Sequence, residues 1–403
     1  MPHRPASAVR FVLATIFIDS IGFGLIMPVL PRLLMSVGRF DLAHAIEIGA
    51  WMGLAIAVAA FFSAPVQGNL SDRFGRRPVL LIALAGMAID YLLLAVAHTL
   101  PLIFFGRVLS GAFGASYSPA QAAIADTTPP EDRARSFGLI SAAFGIGFIA
   151  GPALGGLLGQ VGERAPFYAA AGLAGLNFLY GLTIFPETLV RDHRRAFDWR
   201  RANPLGALAS ARAVPGMAMA VIVLTMWQIA SMVYPMTWSF YAIAQFGWSN
   251  LMIGASFAAV GLIMALTQTF LTGPIVKRLG ERGAAMLGLT GAILGFVAYA
   301  FATKTWMAYA IMAAIAVQSL VQPSLMAMLS RRATPETQGE VQGIGSMAMG
   351  IGAIVAPVLL TGTMAKFTSA GAPVYFPGAA FLVSALFGLL ALILLTRMPR
   401  ATD

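Results

Sequence analysis

The chain has 403 residues, 59% of them hydrophobic and only 10% charged, with a net charge of +10 and a mean hydropathy of +0.81. A soluble domain carries about 25% charged residues, so this composition excludes a water-soluble globular protein. The absence of Cys excludes disulfides, thiol chemistry and a Cys-based metal site. The positive charge does not point to nucleic acid either, because it is spread over alternate loops instead of gathered on one face.

Apolar runs of about 20 residues, long enough to cross a hydrocarbon core of about 30 Å, predict twelve membrane spans. In the first half they are 9–34, 46–68, 78–98, 101–122, 136–159 and 165–186; in the second, 215–240, 249–272, 283–303, 305–329, 339–365 and 375–397. The expected fold is therefore an all-α membrane protein. It has a six-helix N-terminal half (1–186), a cytoplasmic linker (187–214) and a six-helix C-terminal half (215–403). The linker is basic, with Arg191, Arg194, Arg195, Arg200, Arg201 and Arg212, and is amphipathic around Phe197 and Trp199, as befits a segment lying on a membrane surface.

The halves repeat each other. Gly68, Arg73, Gly75 and Arg77 recur 205 residues on as Gly273, Arg278, Gly280 and Arg282, and Gly138, Gly145, Gly147 and Pro152 recur at the same offset as Gly343, Gly350, Gly352 and Pro357. Duplicated halves are a common plan of secondary transporters. Placing both termini and the even-numbered loops in the cytoplasm puts 20 of the 26 Lys and Arg on that side; the others are Arg32, Arg39, Arg107, Arg164, Lys304 and Lys366. This predicts a multi-pass inner (plasma) membrane protein with both termini inside.

Charges within spans are costly and mark function by default. Asp19 lies in span 1, Asp90 in span 3 and Arg107 in span 4, whereas Glu281, Glu336 and Glu340 fall at loops or span ends. An acid facing a low-dielectric cavity binds a proton more readily, which suits Asp19 and Asp90 to loading and releasing protons. Asp90 and Arg107 can equally serve as an ion pair holding spans 3 and 4 together, and Asp19 as a hydrogen-bonding group. The second half offers uncharged polar and aromatic groups, and Gln228, Trp238, Gln318 and Gln322 are its candidate substrate contacts.

Two motifs suggest moving parts. The Gly68–Arg77 loop joins spans 2 and 3; Asp72, Arg73 and Arg76, flanked by Gly68 and Gly75, form a candidate conformational latch, or else a positive-inside loop with a local salt bridge. Span 5 carries Gly145, Gly147, Gly151, Pro152 and Gly155, a smooth and bent face suited either to an interface between the halves or to ordinary close packing. No phosphate-cradling loop or metal-ligand cluster is present, so neither cofactor nor metal is expected and coupling to an ion gradient is favoured over ATP.

These motifs resemble those of the major facilitator superfamily, and the span-5 pattern is similar to that of its drug/proton antiporters. Gly22–Pro31, Asp90–Ala95, Ile124–Thr128 and Phe246–Trp248 resemble the tetracycline-efflux family. The resemblance implies a proton-coupled exporter of a small amphipathic compound, working by alternating access, with Asp19, Asp72, Arg76, Asp90 and Arg107 at functional positions. It also implies an acid in span 9 and a His in span 8, where this chain has Ala292 and Met264. With no acid mid-span in the second half, a low proton count and a neutral or monocationic substrate are expected. Protons, a small molecule and the bilayer are the expected partners, nucleic acid is not, and a monomer suffices. The alternatives are a facilitator for another metabolite, a membrane-embedded enzyme or a sensor. An enzyme needs a nucleophile–base pair or metal ligands within the spans, and a sensor needs a soluble output domain; the sequence offers neither.

Overall fold

The computed structural model describes residues 5–114, 117–129, 132–198, 217–331 and 338–399, and the regular structure among them is helical. Trp199, Arg200, Arg201, Arg212 and Glu336 lie outside the described residues, as does the side chain of Glu340. Nine of the described helices are long and apolar enough to cross a membrane, or ten if one bent pair counts as a single span. The first half contains α1 (Pro5–Ile26), α2 (Leu30–Gly38), α3 (Leu42–Phe74), α4 (Arg76–Val96), α5 (Leu100–Phe113), α6 (Tyr117–Thr127), α7 (Arg133–Val161) and α8 (Ala165–Ile184).

Apolar runs locate crossings but not bends. Span 1, expected as one helix, is divided: α1 ends at Ile26 and α2 restarts with Pro31 in its first turn. Proline has no N–H to donate and a fixed φ, so it suits a helix start better than a helix interior. Span 10 is bent by 42° between Thr305–Ala314 and Ala316–Ser330. Spans 8 and 9 show the opposite: Asn250–Ala300 runs as one helical stretch of 51 residues. At 1.5 Å per residue that is about 76 Å, too long for one crossing. It changes direction at Gly280, whose φ of +69° interrupts the helix.

The chain forms two compact units. One comprises Met1–Arg39, Ala55–Pro204 and Ser249–Ala258; the other comprises Phe40–Leu54, Leu205–Trp248 and Ala259–Asp403. Each unit thus takes in a short stretch from the opposite half of the sequence. In the first unit, Phe11, Val12 and Ile16 of α1 pack with Leu80 and Leu84 of α4, Ala123 and Ile124 of α6, Ile140 of α7 and Phe185. Thr15 donates a hydrogen bond to Asn177 of α8 at 3.2 Å. Such polar ties matter in a membrane, where apolar side chains gain little by choosing protein over lipid.

The small residues of α7 supply the rest of that packing. A Cβ on Gly147 would lie 2.7 Å from the Phe17 carbonyl oxygen, one on Gly151 2.7 Å from that of Ile21, and one on Gly155 would run into Leu25. The ring of Pro152 presses on Gly24 from the same side. Gly147, Gly151 and Gly155 therefore seat α7 on α1, within one unit. The next glycine, Gly156, meets Asn250, Leu251 and Gly254, while Gly145 faces open space.

The second unit is built around aromatic rings. Tyr234, Trp238, Tyr241, Trp248, Phe296, Tyr299 and Phe381 form a continuous cluster, with centroids 5.1 Å apart for Trp238–Tyr299 and 4.8 Å for Tyr241–Phe381. The polar edges of Tyr241 and Trp248 are satisfied internally. Tyr241 donates to the Tyr299 carbonyl at 2.5 Å and the Trp248 indole N–H to the Thr305 hydroxyl at 3.0 Å.

Candidate functional site

Two groups of charged residues stand out, both in the first unit. The first is inside the membrane span region. Asp90 on α4 and Arg107 on α5 meet in a direct ion pair, the Asp90 side chain fully enclosed and that of Arg107 6% exposed. Gly106 makes the approach possible, because a Cβ there would stand 3.0 Å from the Asp90 carboxylate. Asp19, half-buried on α1, lies within electrostatic reach of Tyr91, as do Asp90 and Arg107. Tyr91 is buried against Gly22 of α1, where a Cβ would stand 3.0 Å from its hydroxyl, and that hydroxyl has no hydrogen-bond partner among the described residues. The structure thus gathers the three sequence-marked charges around one tyrosine that the sequence reading had given no role. Its signal was a polar group adjoining a mid-span acid.

This arrangement has definite chemical capacities. A carboxylate and a guanidinium removed from water depend on each other, and removing either strands its partner. A buried, unpartnered hydroxyl beside acids can take up a hydrogen bond from a proton carrier, a water or a substrate group.

The second group is at the α3–α4 junction. Arg76 binds Asp72 at 2.6 Å across the break at Gly75, and reaches Asp126 of α6 at 3.0 Å and the Ser71 hydroxyl at 3.2 Å. Arg73 lies outside this network, exposed over the Phe74 ring at 5.0 Å, and Gly68 sits in the last turns of α3. Gly75 has φ +107°, open to glycine but not to a residue whose Cβ would collide with the Glu187 carboxylate. Glu187 accepts from the backbone N–H groups of Arg76 at 2.8 Å, Arg77 at 3.4 Å and Leu189 at 3.0 Å. It thereby caps the α4 N-terminus, where donors are unpaired and negative charge is favoured. The linker is fastened to the same junction: Arg195 N–H donates to the Asp72 carbonyl at 3.1 Å, and Asn69 pairs with the Asp198 backbone in both directions. Asp126 and Glu187, 50 and 111 residues from Arg76, were invisible to a reading of the local motif.

The second copy of that junction keeps the backbone and changes the side chains. Gly280 again has positive φ, and Glu281 pairs with Arg331 at 2.9 Å. Arg77 donates to the Leu182 carbonyl near the end of α8, and its counterpart Arg282 donates to the Leu395 and Thr396 carbonyls near the end of Ala379–Arg397. In both copies an arginine donates to carbonyls in the last turn of a helix, where intrahelical partners run short.

Of the four candidate substrate contacts, Gln228 and Gln322 are half-buried. Gly352 lies against the Gln228 side chain, and Gln322 lies 2.9 Å from the Met349 sulfur. Trp238 and Gln318 are buried, Trp238 inside the aromatic cluster.

The Major Facilitator Superfamily family model matches residues 12–357 and 230–403. The chain is 41% identical to the tetracycline resistance protein, class C, of Escherichia coli, over 98% of this chain and 99% of that protein. It is 37% identical to the class G protein of Vibrio anguillarum over the same shares. Among solved structures it is similar to the nucleoside transporter NupG, with a TM-score of 0.77 and 18% identity over 98% of this chain and all of that one. That last likeness concerns the fold alone. A family match along nearly the whole sequence, over a helical membrane fold of this kind, means that the chain belongs to the Major Facilitator Superfamily.

Proposed function

We propose that the protein exports a small amphipathic compound of the tetracycline class, or one like it, in exchange for protons. The observation that carries this reading is the set of Asp19, Tyr91, Asp90 and Arg107, charged and polar groups collected within an apolar span region where each is expensive to keep. The class C and class G tetracycline resistance proteins, related over nearly the whole chain, supply the substrate class. Asp19 and Asp90 take and release the proton as access alternates between the two sides. Asp72 and Arg76 act as the cytoplasmic latch, and Gln228 and Gln322 contact the substrate. The protein works as a monomer in the inner membrane with both termini in the cytoplasm, which places the basic loops on the side the charge rule requires.

Ala292 stands where an acid of the second half is expected, so proton handling falls to the first half and about one proton moves per cycle. Each charge moved outward against the membrane potential costs about 2.3 kcal/mol per 100 mV. A neutral or monocationic compound is then the favoured cargo over a more highly charged chelate.

Inverted vesicles carrying the protein test this directly. An imposed pH gradient, acid inside, should drive accumulation of tetracycline or of a neutral amphipathic analogue, and a protonophore should abolish it. Asp19→Asn should remove the gradient dependence while leaving the protein in the membrane. Accumulation that survives collapse of the gradient would favour a facilitator for another metabolite.

A further inference from the structure

A cavity of about 360 Å³ lies in the second unit, between the first turns of α3 and residues 358–369. It lies at helix ends, not in mid-span. With 33 residues, α3 is about 50 Å long, well beyond a hydrocarbon core of about 30 Å. Its first turns, which carry His44 and Glu47, therefore stand at headgroup depth. Trp51, nine residues from the start of the helix, falls about 14 Å further in, at the boundary where Trp concentrates. Lys366 and Ser369 approach from the opposite wall, at the end of Gly362–Thr368.

The charges in this cavity are opposite, exposed and uncommitted. Glu47 and Lys366 both line it, yet neither joins a salt bridge among the described residues. Asp41, the neighbouring acid, is already engaged by the His44 ring at 2.6 Å and by the His44 backbone N–H at 3.0 Å. Below the charges the wall is apolar: Trp51 is 52% exposed and Val358 44%. The cavity therefore offers one anion and one cation at headgroup level, above a greasy floor.

We propose that this cavity binds the headgroup of a phosphatidylethanolamine molecule from the surrounding leaflet, with phosphate on Lys366, primary ammonium on Glu47, and glycerol and upper acyl chain on Trp51. Cavities of this volume fall in the range that holds small ligands. The two charges make the choice of lipid. An ammonium brings three N–H donors to a carboxylate, whereas the quaternary nitrogen of phosphatidylcholine brings none. Phosphatidylglycerol brings the same phosphate to Lys366 but no cation for Glu47. The site is separate from the charged cluster of the first unit and does not depend on which compound is exported.

Native mass spectrometry of the purified full-length protein, titrated with phosphatidylethanolamine, phosphatidylcholine and phosphatidylglycerol of identical acyl chains, tests the proposal. The wild type should retain phosphatidylethanolamine at severalfold lower lipid concentration than either of the others. Lys366→Ala and Glu47→Gln should each weaken that retention about tenfold, the loss of one charge-assisted contact. Lys304→Ala, outside the cavity, should leave it unchanged. Stepwise N-methylation of the headgroup should erode binding to the wild type but not to Glu47→Gln. Equal retention of all three headgroups by the wild type, or undiminished phosphatidylethanolamine binding in both cavity variants, would overturn it. Both substituted side chains are exposed, so elution and thermal melting should match the wild type and confirm that the variants are folded.

Discussion

At the scale of single residues, the Asp90–Arg107 pair sets the sharpest energetic condition. A buried ion pair contributes little net stability, but breaking one costs about 3–5 kcal/mol because the survivor is left charged and dry. Arg107→Ala should therefore destabilise the purified protein far more than the double variant Asp90→Asn with Arg107→Gln, which removes both charges together. Thermal melting in detergent measures the difference, and equal losses would show that the pair is not the stabilising unit. Spans 3 and 4 could be read as holding two lone opposite charges, and either a coupling role or a structural tie fitted that reading. Their direct contact is a tie between the two spans. What the sequence hid was Tyr91. Its hydroxyl is drawn into the group because Gly22, 69 positions away and on another helix, leaves room for the ring.

At the scale of elements, the α1–α7 contact depends on the absence of side chains. Gly155 sits where a Cβ would strike the Leu25 backbone, and backbone cannot step aside as a flexible side chain can. Gly155→Val should force the two helices apart and cost about 1–3 kcal/mol, the usual penalty of overpacking. Gly145→Val, on open space in the same helix, should cost much less. Comparing the melting temperatures of the two variants isolates the contact from any general loss of helix flexibility. The glycine face was plain in the sequence at its four-residue spacing, but its neighbour was not, since spacing says which residues share a face and not what that face meets. Helix breaks were legible only in part. Pro28 and Pro31 carried the physical signal for the turn after Ile26, yet the run around them is apolar apart from Arg32 and reads as one span. The bend at Ile315 has no proline beside it, and its residues are as hydrophobic as those of the straight segments.

At the scale of the whole molecule, the internal repeat was the most legible property of the chain, and the structure shows what it preserves. The positive φ at Gly75 and Gly280, and the arginines two residues later, persist in both copies; the acidic partners diverge. Ala292, where the resemblance to the tetracycline-efflux family implies an acid, is fully buried in the Thr272–Ala300 helix of the second unit. Packing has closed around the position, so an acid cannot simply be reinstated. Ala292→Asp should lower stability by about 1–3 kcal/mol even as a neutral acid, because its oxygens would lack partners. A melting curve checks the loss; unchanged stability would mean that water or a polar neighbour already reaches the site.

The paired arginines also bear on how the chain is made. Arg77 is stapled to a carbonyl 105 residues later, and Arg282 to one 113 residues later, each at the far end of its own half. During synthesis the first staple can close only once α8 has left the ribosome, and it can then close without waiting for anything downstream. Each half therefore has a long-range tie that needs no residue of the other. The earlier half can be fastened at this point, before its contact with Ser249–Ala258 exists, so that fewer apolar segments wait unassembled in the bilayer at the same time.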